Sequence, residues 1–133
     1  MDKVFQTANI KAANAALKAI KKADQQLKHR QLVERKIVRH LIRTMKKHGW
    51  VAGKVWDGEE SIVCRTERDA MNVVFSVDES TFSFYNVKLM RTHNVLIVLG
   101  NDGNDCICDY GCSNDDDFRT IMESEVDPYS ESL

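Results

Sequence analysis

The sequence predicts an α+β fold in a single domain spanning residues 1–133, and three observations lead to that prediction. The first 48 residues contain neither glycine nor proline and are rich in residues that favour helices. Segments that alternate between apolar and polar residues follow, and an Asp-Gly dipeptide separates two of them. A capping pattern with an acidic first turn then precedes a last apolar stripe. These features predict one or two N-terminal helices, a mostly antiparallel sheet of about five strands with one inserted short helix, and a C-terminal helix.

Residues 1–48 are predicted to form either two helices or one long kinked helix, because 48 residues exceed the usual length of a globular helix. Their first part carries a shallow apolar seam. The seam consists of Ile10, Ala13, Leu17, Ile20 and Leu27. Asp24 interrupts this seam and is a candidate cap for a second helix. From Val33 onward an apolar stripe predicts firm packing on the core, and His48 and Gly49 are the predicted helix end.

A hairpin and a short helix are predicted next. Strands are expected at residues 50–56 and 61–65, because Asp57 and Gly58 between them favour the positive φ angles of a tight turn. The pattern Thr66-Glu67-Arg68-Asp69 is typical of a helix start, although residues 72–77 alone would also fit a strand. The apolar face expected of this helix contains Ala70, Val73, Val74 and Val77.

Three further strands are predicted. Residues 81–87 alternate, which places Phe82 and Phe84 on one face. Residues 94–99 are apolar on both faces, a pattern typical of a central strand that is covered on both sides. Residues 105–110 are expected to return beside them after a turn.

The C-terminal helix is predicted to follow a cap at Ser113 and Asn114 and to end at Asp127 and Pro128, because the residue before proline avoids the helical region. Its expected buried residues are Phe118, Ile121 and Met122. The predicted domain therefore comprises a basic helical segment, an α+β core and a tail. Their predicted bounds are residues 1–48, 49–127 and 128–133.

Charge is distributed unevenly, although the net charge is only −1. Residues 1–54 hold 14 Lys and Arg against three acids, whereas residues 101–133 hold one Arg against ten acids. Such asymmetry indicates a charged partner or an interaction between the two ends. A solvated helix face combined with an acidic tail would account for it equally well.

Two candidate binding surfaces follow from this distribution. The acidic candidate is expected to bind a protein that has a basic surface, which makes the chain a non-enzymatic protein-interaction module. It consists of Asp102, Asp105, Asp109, Asp115, Asp116 and Asp117. The alternative is nucleic-acid binding by the N-terminal helices. Its candidate residues are Lys36, Arg39, Arg43, Lys46 and Lys47. A homodimer through these helices is a further expectation, and no membrane partner is expected.

The cysteines are predicted to be structural thiols, and no metal site, cofactor or catalytic residue is predicted. The spacing C-x-C-x₃-C of Cys106, Cys108 and Cys112 lacks the paired C-x₂-C of common zinc sites. On a regular strand Cys106, Cys108 and Tyr110 would share a face toward the core. A cytoplasmic location is expected from the absence of a recognisable signal peptide.

The segment at residues 95–110, VLIVLGNDGNDCICDY, together with Phe75-Ser76-Val77-Asp78 upstream, resembles a segment of small uncharacterised proteins encoded by bacteriophages. The resemblance covers about residues 50–133 and leaves the N-terminal helices outside. It implies a phage or prophage setting, in which compact non-enzymatic proteins bind and inhibit host factors, including CRISPR effectors. It supplies no site residues.

Overall fold

The predicted α+β architecture is confirmed by the computed structural model, which describes residues 3–101, 103–110 and 116–133, with residues 3–8 and 116 described by their backbone alone. The elements in chain order are α1 (Lys3–Lys47), β1 (Trp50–Trp56), β2 (Ser61–Val63), α2 (Glu67–Val74), β3 (Glu79–Asn86), β4 (Arg91–Val98), β5 (Ile107–Asp109), α3 (Asp116–Ile121), a π-helical turn (Met122–Val126) and α4 (Asp127–Ser132).

The N-terminal segment is one continuous helix of 45 residues, about 68 Å long at 1.5 Å per residue. The alternative of two helices is wrong, because Asp24 lies inside α1 and caps nothing. An exposed acid is tolerated within a helix, whereas a break would have needed a residue that disrupts the helical hydrogen bonds. The predicted end at His48 and Gly49 is confirmed. Gly49 has a φ of 87°, and its N–H donates to the carbonyl of Lys46 at 3.1 Å.

The five strands form one antiparallel sheet in the order β2-β1-β3-β4-β5. The predicted hairpin between β1 and β2 is confirmed. Gly58 has a φ of 100°, and the Asp57 carboxylate accepts the N–H groups of Glu59 and Glu60 at 2.9 and 2.8 Å. β2 ends at Val63, two residues before the predicted end, because the chain turns there into the start of α2.

The inserted helix is confirmed, and Thr66 caps it by accepting the N–H of Asp69 at 3.1 Å. Its buried face is rotated from the predicted one. Ala70, Met71 and Val74 are buried, whereas Val73 and Val77 are only partly covered.

The helices cover one face of the sheet. On that face Phe82 and Phe84 are fully buried and stacked, with ring centroids 4.6 Å apart. β4 is central, between β3 and β5, but it is not covered on both sides as predicted. Val95 and Ile97 are buried, whereas Leu96 on the opposite face is partly exposed. Apolar residues on both faces of β4 therefore did not predict that, in the described part of the chain, the helices pack on one face of the sheet.

The predicted shared face of Cys106, Cys108 and Tyr110 is wrong. Leu96 pairs with Asp109 and Ile97 pairs with Ile107, so Cys108 is the additional residue of a bulge. The bulge breaks the alternation, and Cys108 is exposed while Cys106 is buried.

The C-terminal helix buries Phe118, Ile121 and Met122, as predicted. The predicted cap at Ser113 and Asn114 lies outside the described residues. The predicted stop at Asp127 and Pro128 is wrong, because the π-helical turn leads into α4 and Pro128 occupies the first turn of that helix. Proline is tolerated there, since its missing N–H would have no helical partner.

Candidate interaction surfaces

The first part of α1 extends away from the rest of the protein. Every side chain of residues 9–29 is exposed, and these residues are called the arm. The arm is about 30 Å long at 1.5 Å per residue. It ends where Arg30 lies against Gly103, at which an added Cβ would be 3.3 Å from the Cγ of Arg30. The absence of a side chain at Gly103 thus permits this close contact between α1 and the turn before β5.

The seam predicted from the sequence lies along the arm and is uncovered. Ile10, Leu17, Ile20 and Leu27 are 61%, 56%, 57% and 41% exposed. The stripe that begins at Val33 is buried on the core, so the predicted difference between the two parts of the helix is confirmed. Because a lone helix is marginally stable in water, an apolar stripe of this length favours contact with another helix.

The predicted basic residues lie together on the side of α1 that faces away from the core. Lys36, Arg43, Lys46 and Lys47 are exposed, and Arg39 is partly exposed. Helical geometry places them within an arc of about 120°, at 3.6 residues per turn, and extends the same arc along the arm. These cations form the basic stripe, which consists of Lys11, Lys18, Lys21, Lys22, Lys28, Lys36, Arg39, Arg43, Lys46 and Lys47.

One cation of the basic stripe has an acidic partner. The Arg43 guanidinium donates to both carboxylate oxygens of Glu67, at 2.7 and 3.1 Å. This bidentate hydrogen bond, together with the charge of Glu67, raises the pKa of Arg43. The pair fixes the last turns of α1 to the start of α2, and it reduces the positive charge that Arg43 presents to an anion.

The predicted acidic residues do not all lie together. Asp105, Asp109 and Asp117 are exposed, while Asp102, Asp115 and the side chain of Asp116 lie outside the described residues. Asp105 adjoins Cys106, whose carbonyl accepts the N–H of Val98 at 2.8 Å.

Asp117 belongs to the other end of β4. It adjoins Phe118, whose ring lies 4.9 Å from that of His93. Residues 93 and 98 are about 17 Å apart along a strand. Asp105 is therefore near one end of the sheet and Asp117 is near the other, while Asp109 pairs with Leu96 between them.

One face of the sheet is partly apolar and is covered by none of the described helices, and this face was not predicted from the sequence. Simple alternation would put Trp50 and Trp56 on the same side of β1, but the register shifts between Ala52 and Lys54. As a result Trp50 is buried, whereas Trp56 is 45% exposed. Val63 and Tyr85 accompany it on the uncovered face. The glycine between Ala52 and Lys54 was the one local sign of this irregularity.

The thiols differ in environment. Burial raises the pKa of Cys106 to about 12 and also raises the pKa of Cys64, while Cys108 is exposed. Among the described residues, no three His, Cys, Asp or Glu side chains are grouped so that they would hold a metal ion. None of the helices, as far as they are described, is long and apolar enough to span a membrane.

Comparison with known proteins found no matching family model, no similar curated protein and no similar solved structure.

Proposed function

We propose that this protein is a protein-interaction module that binds its partner through the arm of α1. One observation carries the proposal. The seam exposes four large aliphatic side chains, by 41–61%, along a helix segment whose side chains are exposed on every face. The arm has the spacing of an amphipathic helix that docks against another helix.

The exposed area sets the strength of such an interaction. Complete burial of a Leu or Ile side chain contributes about 1.5–3 kcal/mol. Because about half of each seam side chain is already covered by the helix, a partner would add about 1 kcal/mol per residue, or about 4 kcal/mol in total. Association itself costs about 4–15 kcal/mol. The partner must therefore supply further contacts, and the binding is expected to be reversible.

The experiment is affinity capture from a lysate of the native host, followed by mass spectrometry. Replacing Leu17 and Ile20 by serine is expected to abolish capture of the partner. The matched control replaces Lys18 and Lys22 by serine, which changes the same two turns on another face, and it is expected to keep the partner. Capture that is undiminished by the Leu17 and Ile20 substitutions would refute the role of the arm.

An acidic surface that binds a basic protein is a second form of the same proposal. Its support is that Asp105 and Asp109 are both exposed near the β5 edge of the sheet. Replacing Asp102, Asp105 and Asp109 by asparagine should weaken capture at least tenfold in a chain that remains folded by circular dichroism. Unchanged capture would exclude this surface. The resemblance to phage proteins suggests that the partner is a host protein and that binding inhibits it.

Nucleic-acid binding is the second candidate function, and the basic stripe favours it. The affinity of a protein that contacts 6–10 phosphates falls by a factor of about 10³–10⁵ between 50 and 200 mM salt. We expect weak duplex binding, because the acidic residues 101–133 oppose phosphate. Sub-micromolar binding at about 150 mM salt, lost when Lys36, Arg39 and Lys47 become glutamine, would place this function first.

A further inference from the structure

We infer that the helix that covers the seam is the arm of a second copy of this chain, running antiparallel. This inference rests on the proposed function, because it names the occupant of the same arm. It starts from the heptad positions of the seam. Ile10, Leu17 and Asp24 recur every seven residues, and Ala13, Ile20 and Leu27 form the second row three residues later.

The two rows match each other when one arm is reversed. In the antiparallel register centred between residues 18 and 19, Ile10 lies opposite Leu27 of the second copy. Leu17 lies opposite Ile20, and Asp24 lies opposite Ala13. Large aliphatic residues thus meet in four of the six layers. In the other two layers the small Ala13 leaves room for the Asp24 carboxylate to stay hydrated, which avoids the cost of burying a charge.

A parallel pairing fits the same residues poorly. It would place Asp24 opposite Asp24, and two carboxylates close together disfavour ionisation of both. It would also place Ala13 opposite Ala13, which leaves an underfilled layer. The seam therefore favours the antiparallel direction.

The flanking positions are also compatible with two copies, although both arms are basic. On one flank the residue nearest to Lys21 is Asn14 of the second copy, which has the same heptad position, so two lysines do not face each other there. On the other flank Ala16 lies opposite Ala23, and these small side chains allow the helices to approach closely. The lysines at 11, 18 and 22 belong to the basic stripe and point away from the pairing.

The paired length ends just before α1 meets the rest of the chain. The pairing ends at residue 27, and every described side chain of α1 up to residue 29 is exposed. Beyond it, Arg30 contacts Gly103 and Glu34 is buried, with its carboxylate accepting the N–H of Gly100 at 2.9 Å. The contacts of α1 with the rest of the chain thus begin where the pairing ends.

Disulfide trapping in the full chain tests the register. Ile10→Cys and Leu27→Cys are prepared as separate proteins with different tags, both carrying Cys108→Ser and Cys112→Ser. In the antiparallel pair two copies of residue 10 are about 26 Å apart, at 1.5 Å per residue over 17 positions. Mild oxidation should therefore link the two proteins in a mixture and neither protein alone. Linking of Ile10→Cys with itself would overturn the inference in favour of a parallel pair.

Sedimentation velocity over a range of concentrations provides the second measurement. The wild-type chain is expected to dimerise reversibly. Asp24→Leu places an apolar side chain opposite Ala13 and removes no packing contact between the two arms. It should therefore lower the dissociation constant of the dimer at least tenfold. A wild-type chain that stays monomeric at 100 μM would overturn the inference. If Leu17→Ser with Ile20→Ser still abolishes partner capture in that case, the proposed function survives and only the second copy is wrong.

Discussion

Phe118 anchors the C-terminal helices, and replacing it by alanine is expected to reduce the free energy of unfolding by about 4 kcal/mol. The side chain is fully buried. Its ring centroid lies 4.9 Å from that of His93, 5.1 Å from that of Trp50 and 6.1 Å from that of Phe84. Loss of a buried Phe side chain costs about 3–5 kcal/mol, and each aromatic pair adds about 0.5–1.5 kcal/mol beyond burial. The loss should therefore be no smaller than the middle of that range.

The assay is equilibrium unfolding in urea, followed by tryptophan fluorescence and circular dichroism. Trp50 reports on this region directly, because it makes an edge-to-face contact with Phe118. The matched control is Arg119→Ala, at the neighbouring exposed position, which should change stability by less than about 0.5 kcal/mol. In both variants the free energy of unfolding should fall with urea concentration at the same slope as in the wild type.

A loss below about 1 kcal/mol for Phe118→Ala, with an unchanged dependence on urea, would refute this reasoning. It would mean that the C-terminal helices do not pack through this ring. Should the alanine variant be unfolded without denaturant, Phe118→Leu retains most of the volume and is expected to show a smaller loss in the same direction.

Three further outcomes are expected. Burial raises the pKa of Asp127, so the folded chain binds a proton more tightly than the unfolded chain and loses stability as the pH rises above about 4. Asp127→Asn should therefore melt higher than wild type at pH 7 and equally at pH 3, whereas a lower melting temperature at pH 7 would show that the hydrogen bond from Tyr110 outweighs the desolvation. Under a thiol reagent at pH 8, peptide mass spectrometry should find Cys108 labelled well before Cys106, and equal rates would contradict the burial of Cys106. Gly49→Ala should cost about 1–2 kcal/mol in urea unfolding because of its left-handed conformation, and a neutral effect would contradict that geometry.

The fold class was predictable because its signals are local. The helix end at Gly49, the turn at Asp57 and Gly58, and the cap at Thr66 depend on residues within one turn of each other, and all are confirmed. The seam was predictable for the same reason, since helical spacing alone identifies an apolar stripe.

The faces of the strands were not predictable, because bulges depend on the partner strand. The register shifts beside Gly53 and at Cys108 reverse which side chains are covered, and neither can be located from one strand alone. Pro128 misled for a related reason. Proline ends a helix when it lies in the interior but is tolerated in the first turn. Only the structure shows that a new helix begins at Asp127, after the π-helical turn.

The separation between the residues of the acidic candidate surface could not be predicted from the sequence either. Asp105 and Asp117 are 12 positions apart, and only the return of the chain along β4 shows that they lie at different ends of the sheet. The basic stripe, by contrast, belongs to one helix and follows from its spacing.

The lengths of the outermost strands have a consequence for aggregation. β2 and β5 form the two edges of the sheet, and each has only three residues. Short or bulged edge strands offer few free backbone groups in line, so another chain gains little by adding a strand there. The sheet can therefore leave Trp56 and Val63 exposed without favouring the addition of further strands at its edges.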